Sequence, residues 1–408
     1  MKMLSRSLAA VLLVGATVSA APVMAQKKAE APKPPKLTKL VAAALGEAQK
    51  LQAAGDHAGA LAKIVEAEAV PGPTADDAYF TAAIKLNSAV ATKNNPLIED
   101  AITKMLATGK VSAADEPKFV KTLGSLAMER KDYNTATKAF ERLTAMNPND
   151  ADNQIALAEL YYAQKQSGKA VETINKAIAA NTAAGTKPLE SWYRRALGIA
   201  YDGKVAGAVT PASLALISAY PNPVNWRDAV LITRDSFPKI DEQTELDMLR
   251  LQAATGALTG ERDFVEYADT ALGRGLPGEA EYAIAQGIAK NMLTPTKPLI
   301  AELKRTAAGK VGADKASLPG LERDSKTNPK LALGTGDAYY GYGEFARAAA
   351  LYRLAVGGAG VDPATANLRL GAALARAGDK AGAAEALKLV KGGIREELAR
   401  YWLVFVGA

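Results

Sequence analysis

With 408 residues the chain exceeds the size at which one hydrophobic core usually serves, so several domains or a stack of small units are expected. Its residues are 49% apolar yet only 6% aromatic, a balance that favours alanine-rich, closely packed helices, and the expected class is all-α. The absence of cysteine excludes disulfides and a cysteine-borne lipid anchor, and a single histidine nearly empties the field of histidine catalysis and zinc binding. A net charge of +7, with no basic run in the folded part, gives no stripe for nucleic acid.

Residues 1–25 have the three parts of a secretory signal: Lys2 and Arg6, the apolar run from Leu8 to Val18, and Val23-Met24-Ala25 as a cleavage site. A cleaved Sec-type leader and a periplasmic or secreted protein are therefore expected. The apolar run is short for a membrane span, so no integral span is expected once the leader is removed. Cleavage would leave 48 basic against 43 acidic residues, a net charge of about +5. Residues 26–39, with Lys27, Lys28, Lys33, Lys36, Lys39 and three prolines, read as a basic extended linker suited to contact with anionic envelope surfaces.

Residues 40–182 read as repeated helix–turn–helix units. The first, Leu40 to Pro73, carries Leu51, the turn Gly55-Asp56-His57, then Ala60, Ile64 and Ala67. Ala75 to Val111 is a worn second unit with Tyr79 and Leu86 on one helix and Leu97, Ile98, Ile102 and Met105 on the next. The register is clearest from Pro117 to Thr182. One copy beginning at Pro117 gives Leu123-Gly124, Ala136, Phe140 and Pro148; the next, 34 residues on at Ala151, gives Leu157-Ala158, Tyr161, Ala170, Ile174 and Ala177. Small residues at Gly124, Ala158, Ala136 and Ala170 permit close helix approach, while Phe140 and Ile174 are expected to fill the space between units. At these positions the stretch resembles the tetratricopeptide repeat family. The resemblance implies a right-handed α-solenoid.

Residues 183–328 are expected to be helical but irregular. Leu197-Gly198 and Tyr201 open a good first helix, but Pro211 is expected to interrupt its partner. Pro221 to Phe237 reads as a loop before a helix at Trp226 to Thr233. Thr244–Leu258, Arg262–Gly273 and Pro277–Asn291 show helical spacing. The repeats return over residues 329–408, with Gly336, Tyr339, Ala348, Tyr352 and Ala355 in one copy and Leu370-Gly371, Leu374, Ala383 and Leu387 in the next. The terminal stripe Ile394, Leu398, Tyr401, Trp402 and Phe405 reads as a cap or as an apolar docking edge.

Motifs for chemistry fail on context. Gly198 to Lys204 spells the start of a phosphate loop, but Val205 stands where Ser or Thr is needed and no strand precedes it. Gly341 to Ala346, a loose dinucleotide fingerprint, follows a helix and fits a repeat turn. The carboxylate pairs Asp76-Asp77, Glu242 with Glu245, and Glu396-Glu397 stand at adjacent or nearby helix positions, as on a solvated face or beside a helix N-terminus, and nothing places a pair across a cleft. His57 reads as a surface turn residue. No catalytic residue, metal or cofactor is expected.

The resemblance also implies a concave groove lined by first helices of the units. On this numbering it takes in Lys121, Ser125, Met128, Ile155, Glu159, Tyr162, Trp192, Arg195, Asp202, Asp337 and Tyr340. Some family members clamp a peptide carboxylate; here Lys121 matches that pattern, but Ser125 and Ala156 replace the asparagines, so the clamp is not carried over. The expected function is a non-catalytic exported scaffold that binds proteins or peptides, with no nucleic acid, in cell-envelope assembly. The alternative is an envelope enzyme or accessory subunit holding a polysaccharide or small ligand in residues 183–328.

Overall fold

The computed structural model describes residues 36–408, among which there are twenty α-helices and no strand. The expected leader and most of the linker lie outside the described residues. The chain separates after Val111 into two units.

In the first unit α1 (Lys39–Ala53) and α2 (His57–Glu68) form a hairpin closed by Val41, Leu45 and Ala48 against Ala60, Ile64 and Ala67. Asp56 caps α2 through the Gly59 amide, so the polar turn supplies the acceptor that the first helical turn lacks. α3 (Ala75–Ala91) starts with a capping box between Thr74 and Asp77, and Asp77 also accepts from the Thr38 amide at 2.8 Å. α4 (Asn95–Ala107) completes the unit. Buried Lys85 reaches Glu68 at 3.1 Å and also contacts Asp100, tying three helices together.

In the second unit α5 (Glu116–Glu129), α6 (Tyr133–Met146), α7 (Ala151–Ala163) and α8 (Ser167–Ala183) are the two hairpins whose register the sequence displays. Their small residues do what the spacing requires. A Cβ on Gly124 would lie 2.9 Å from the Phe140 ring, one on Gly336 would lie 2.7 Å from Tyr352, and one on Gly371 would lie 2.5 Å from Leu387. The large residue therefore fills the space over the glycine of its own hairpin.

α9 (Glu190–Asp202) pairs with α10 (Val209–Ala219), so Pro211 does not interrupt the second helix. It occupies the first turn, where its missing N–H would have had no intrahelical partner. α11 (Pro223–Asp235) starts at its proline behind the Asn222 cap, earlier than Trp226. α12 (Glu242–Thr255), α13 (Glu261–Gly273) and α14 (Pro277–Ala289) follow, then α15 (Pro298–Asp324), a helix of 27 residues that passes through Pro319. Although helix lengths vary here, the repeat offset persists in ion pairs: Arg195 with Glu159 at 36 residues, Arg194 with Asp228 at 34, Arg227 with Asp263 at 36, and Lys297 with Glu261 at 36.

α16 (Pro329–Gly341) with α17 (Phe345–Ala355) and α18 (Pro363–Ala377) with α19 (Lys380–Lys388) restore regular hairpins. The last helix, α20 (Gly393–Val406), returns to pack against α10, α11, α12, α18 and α19. Tyr401 and Trp402 are fully buried, the Tyr401 hydroxyl meets that of Thr233, and its ring lies edge-to-face on Trp226. The apolar C-terminal stripe is thus an interior element of this unit.

Four helix-connecting turns place lysine in the left-handed region: Lys93, Lys131, Lys165 and Lys204, with φ of 53°, 62°, 61° and 48°. Gly55, Gly343 and Gly378 serve the same geometry at other turns. A side chain there costs about 1–2 kcal/mol of backbone strain, partly offset by the extra freedom glycine has when unfolded. Lys131→Gly and Lys165→Gly are each expected to stabilise the second unit by roughly 0.5–1 kcal/mol, read from urea unfolding midpoints.

Candidate functional site

The groove residues expected on the first helices fall into two groups. On α5, Lys121 and Met128 are exposed and Ser125 is half-buried; on α7, Ile155, Glu159 and Tyr162 are half-buried; on α9, Trp192 and Arg195 are half-buried and Asp202 is exposed. Three of them form one cluster. Arg195 forks onto Glu159 with Nε–Oε1 at 2.6 Å and Nη2–Oε2 at 2.5 Å, and its guanidinium stands 4.6 Å from the centre of the Tyr162 ring. The Glu159 hydrogen bonds, working against partial burial, hold Arg195 above its ordinary pKa, with Tyr162 and Asp202 adding to the effect. Ile155, Tyr162 and Trp192 pack at the edge of a core made by Ala158, Ala170, Val171, Ile174, Ala196 and Ile199. The face thus combines a fixed planar cation, a carboxylate and aromatic edges. Such anchors carry most of the energy in protein interfaces.

Asp337 and Tyr340, on α16, do not belong to an open face. Both are buried, 7% and 6% exposed, within a network that joins α12, α14, α16 and α18. Arg250 gives Nε to Glu279 Oε1 at 2.7 Å, Nη2 to Glu279 Oε2 at 2.7 Å and Nη1 to Asp337 Oδ1 at 3.0 Å. Arg369 gives Nη1 to Asp337 Oδ2 at 2.7 Å and Nε to Asp247 Oδ1 at 2.9 Å. Tyr267 donates to Glu279 and Tyr352 to Asp337, at 2.7 and 2.8 Å. Gly341 permits this approach, since a Cβ there would sit 2.8 Å from the Glu279 backbone nitrogen. Burial alone would raise the Asp337 pKa, but Arg369 and Arg250 outweigh it and hold the carboxyl below its ordinary range.

Sequence reasoning missed this network. Its one visible sign is Leu368-Arg369-Leu370, an arginine inside an apolar run, on a helix that the structure buries from Thr365 to Leu374. The cavity between Arg250, Tyr267, Glu279, Tyr282, Tyr340 and Arg376 has a volume of about 20 Å³, room for one water. Among the described residues no group of three or more His, Asp or Glu is arranged to hold a metal ion. No described helix is long and apolar enough to cross a membrane.

Residues 127–184 match the family model of the tetratricopeptide repeat. No curated protein matches the chain. Among solved structures the chain is similar to Naa15/Naa10 bound to HypK-THB, at 16% identity and a TM-score of 0.32, covering 86% of this chain. It is also similar to the APC/C hetero-tetramer Cut9–Hcn1, at 13% identity and a TM-score of 0.21, covering 86% of this chain and 74% of that one. The chain spans 58% of the length of the first. The family match runs from the end of α5 to the end of α8, the hairpins whose close-packed small residues and 34-residue offset are described above. Those two hairpins are thus similar to tetratricopeptide repeats in sequence and in helix–turn–helix arrangement.

Proposed function

We propose that the protein is an exported, non-catalytic scaffold that holds a protein or peptide partner along the face of α5, α7 and α9 during cell-envelope assembly. The observation that carries this reading is the Arg195–Glu159–Tyr162 cluster beside Trp192 and Ile155, an amphipathic and already ordered surface. Ordering before binding lowers the entropic cost of association. Met128, 37% exposed at the position equivalent to Tyr162 one unit earlier, extends the apolar character to α5. Export rests on the leader pattern of residues 1–25. The enzyme alternative draws less support. The converging carboxylates Asp247, Glu279 and Asp337 are matched by arginines, and the cavity of about 20 Å³ beside Glu279 is too small for a sugar.

Affinity capture from envelope extracts tests the reading, with a Trp192→Ala, Tyr162→Ala double variant set against the wild type. Partner recovery is expected to fall by roughly tenfold or more, as for loss of central aromatic anchors. Equal recovery of the same partners would sink the assignment to this face. Sequencing the recovered protein should begin at Gln26; Met1 would count against cleaved export.

A further inference from the structure

In the second unit the helices α9, α11, α13 and α15 start side by side, and their first turns are cross-linked. Asn225 donates to Glu190 at 2.9 Å, Arg227 pairs with Asp263 at 3.2 Å, and Lys297 pairs with Glu261 at 2.5 Å. Three of these helices open on one pattern: Lys187-Pro188-Leu189, Asn222-Pro223-Val224 and Lys297-Pro298-Leu299. Each proline lies at or next to a helix start, so the apolar residue after it precedes the packed part of the helix. Leu189, Val224 and Leu299 are each more than half exposed, and Met292, in the connection leading into α15, is exposed as well. The opposite edge differs. From α5 to the start of α15, the exposed large apolar residues among those described are Met146, Leu189, Val224, Met292 and Leu299 at the connections between hairpins, against Met128 and Tyr201 at the turns within them.

The same connections are basic. Residues 184–189, 220–224, 256–262 and 290–299 hold Lys187, Arg262, Lys290 and Lys297 against one acid, Glu261, which Lys297 engages. Lys187, Arg262 and Lys290 are exposed. The apolar residues come one to a helix, about a helix diameter of ~10 Å apart. A protein interface needs anchors gathered into a dry, contiguous core, whereas a lipid headgroup layer accepts single apolar side chains flanked by cations. We propose that this edge is a membrane-docking surface, on which Leu189, Val224 and Leu299 enter the headgroup–acyl boundary of an anionic phospholipid layer while Lys187, Arg262 and Lys290 meet its phosphates. Tyr162 and Arg195 are not part of the edge, so membrane docking and partner binding at the α5–α9 face are separate properties.

Because the chain has no cysteine, Val224→Cys gives one labelling position on this edge and Tyr201→Cys one on the opposite edge. The full chain, carrying a nitrobenzoxadiazole label at either position, would be mixed with vesicles of phosphatidylethanolamine and phosphatidylglycerol, or of phosphatidylcholine alone. Emission at 224 is expected to brighten and shift to the blue with the anionic vesicles, with little change on phosphatidylcholine and none at 201. Leu189→Ser, Val224→Ser and Leu299→Ser together should weaken vesicle binding by roughly tenfold or more, and Lys187→Glu with Arg262→Glu by a similar factor. Thermal unfolding confirms that these variants fold. Vesicle contact through residues 1–39 alone would leave the label at 224 unshifted, and that result overturns the proposal. So would an equal shift at 201, an equal response to phosphatidylcholine, or undiminished binding by the folded triple variant. A blue shift at 224 that grows with protein concentration in the absence of vesicles would assign the edge to a second copy of the chain instead.

Discussion

Arg250→Met is expected to destabilise the second unit by about 3–5 kcal/mol, the usual consequence of removing one partner from a buried ion pair. Arg250 is 2% exposed and holds two carboxylates, so its loss strands Glu279 and part of Asp337 away from water. The attraction it supplied is not the net worth of the network. Neutralising both acids as well, with Glu279→Gln and Asp337→Asn added, is expected to recover much of the loss. Urea unfolding followed by tryptophan emission reads this directly, because Trp192, Trp226 and Trp402 all lie in the second unit. An Arg250→Met midpoint within a few tenths of a kcal/mol of the wild type would show that the network contributes nothing.

The same network sets the pH response. Asp337 in the folded chain binds its proton only below the ordinary carboxylate range, so its contribution is fully present above about pH 4 and is lost as pH falls through the lowered folded value. Removing Arg250 takes away part of what depresses it, so acid unfolding of the variant should begin at higher pH. Tyr267 and Tyr352 shift the other way, held far above the usual phenol value by burial and by Glu279 and Asp337 respectively. Their contribution is present below about pH 10 and declines above it.

Trp402→Ala is expected to cost about 3–5 kcal/mol, the range for truncating a buried aromatic to alanine. Trp402 is 1% exposed, packs edge-to-face on Phe405 at 5.3 Å, and lines a gap shared with Asp247 and Arg369. Its removal therefore opens space beside the ionic network and admits water to it. The Trp402→Ala and Arg250→Met losses should then add to less than their sum, because the charges are already partly rehydrated. A loss below about 1 kcal/mol for Trp402→Ala would mean that α20 is not seated in the core.

The hairpins were legible wherever packing is local. Gly124, Ala136 and Phe140 lie within one unit, and Lys131-Asp132 marks the turn because Asp132 caps α6. Pro211 misled because the same residue that breaks a helix interior is harmless in its first turn. Counting along the unit also placed Glu159, Tyr162 and Arg195 on one side, and the structure brings these three together. The same count assigned Asp337 and Tyr340 to a groove, where they are buried instead. Periodicity fixes the side from which a residue leaves its helix, while what stands opposite depends on how distant helices meet.

Local pattern was enough for the all-α class, the repeat unit and most helix pairs, because each hairpin buries a stripe of its own residues. Long-range packing, which no local pattern displays, returns α20 into the body of the second unit and brings Arg250 to Asp337 across 87 residues and Arg369 to Asp247 across 122. A charge on an isolated helix is indistinguishable from any solvated charge. It becomes a buried ion pair when chain closure removes water and supplies the opposite sign, and that is a property of the assembled core.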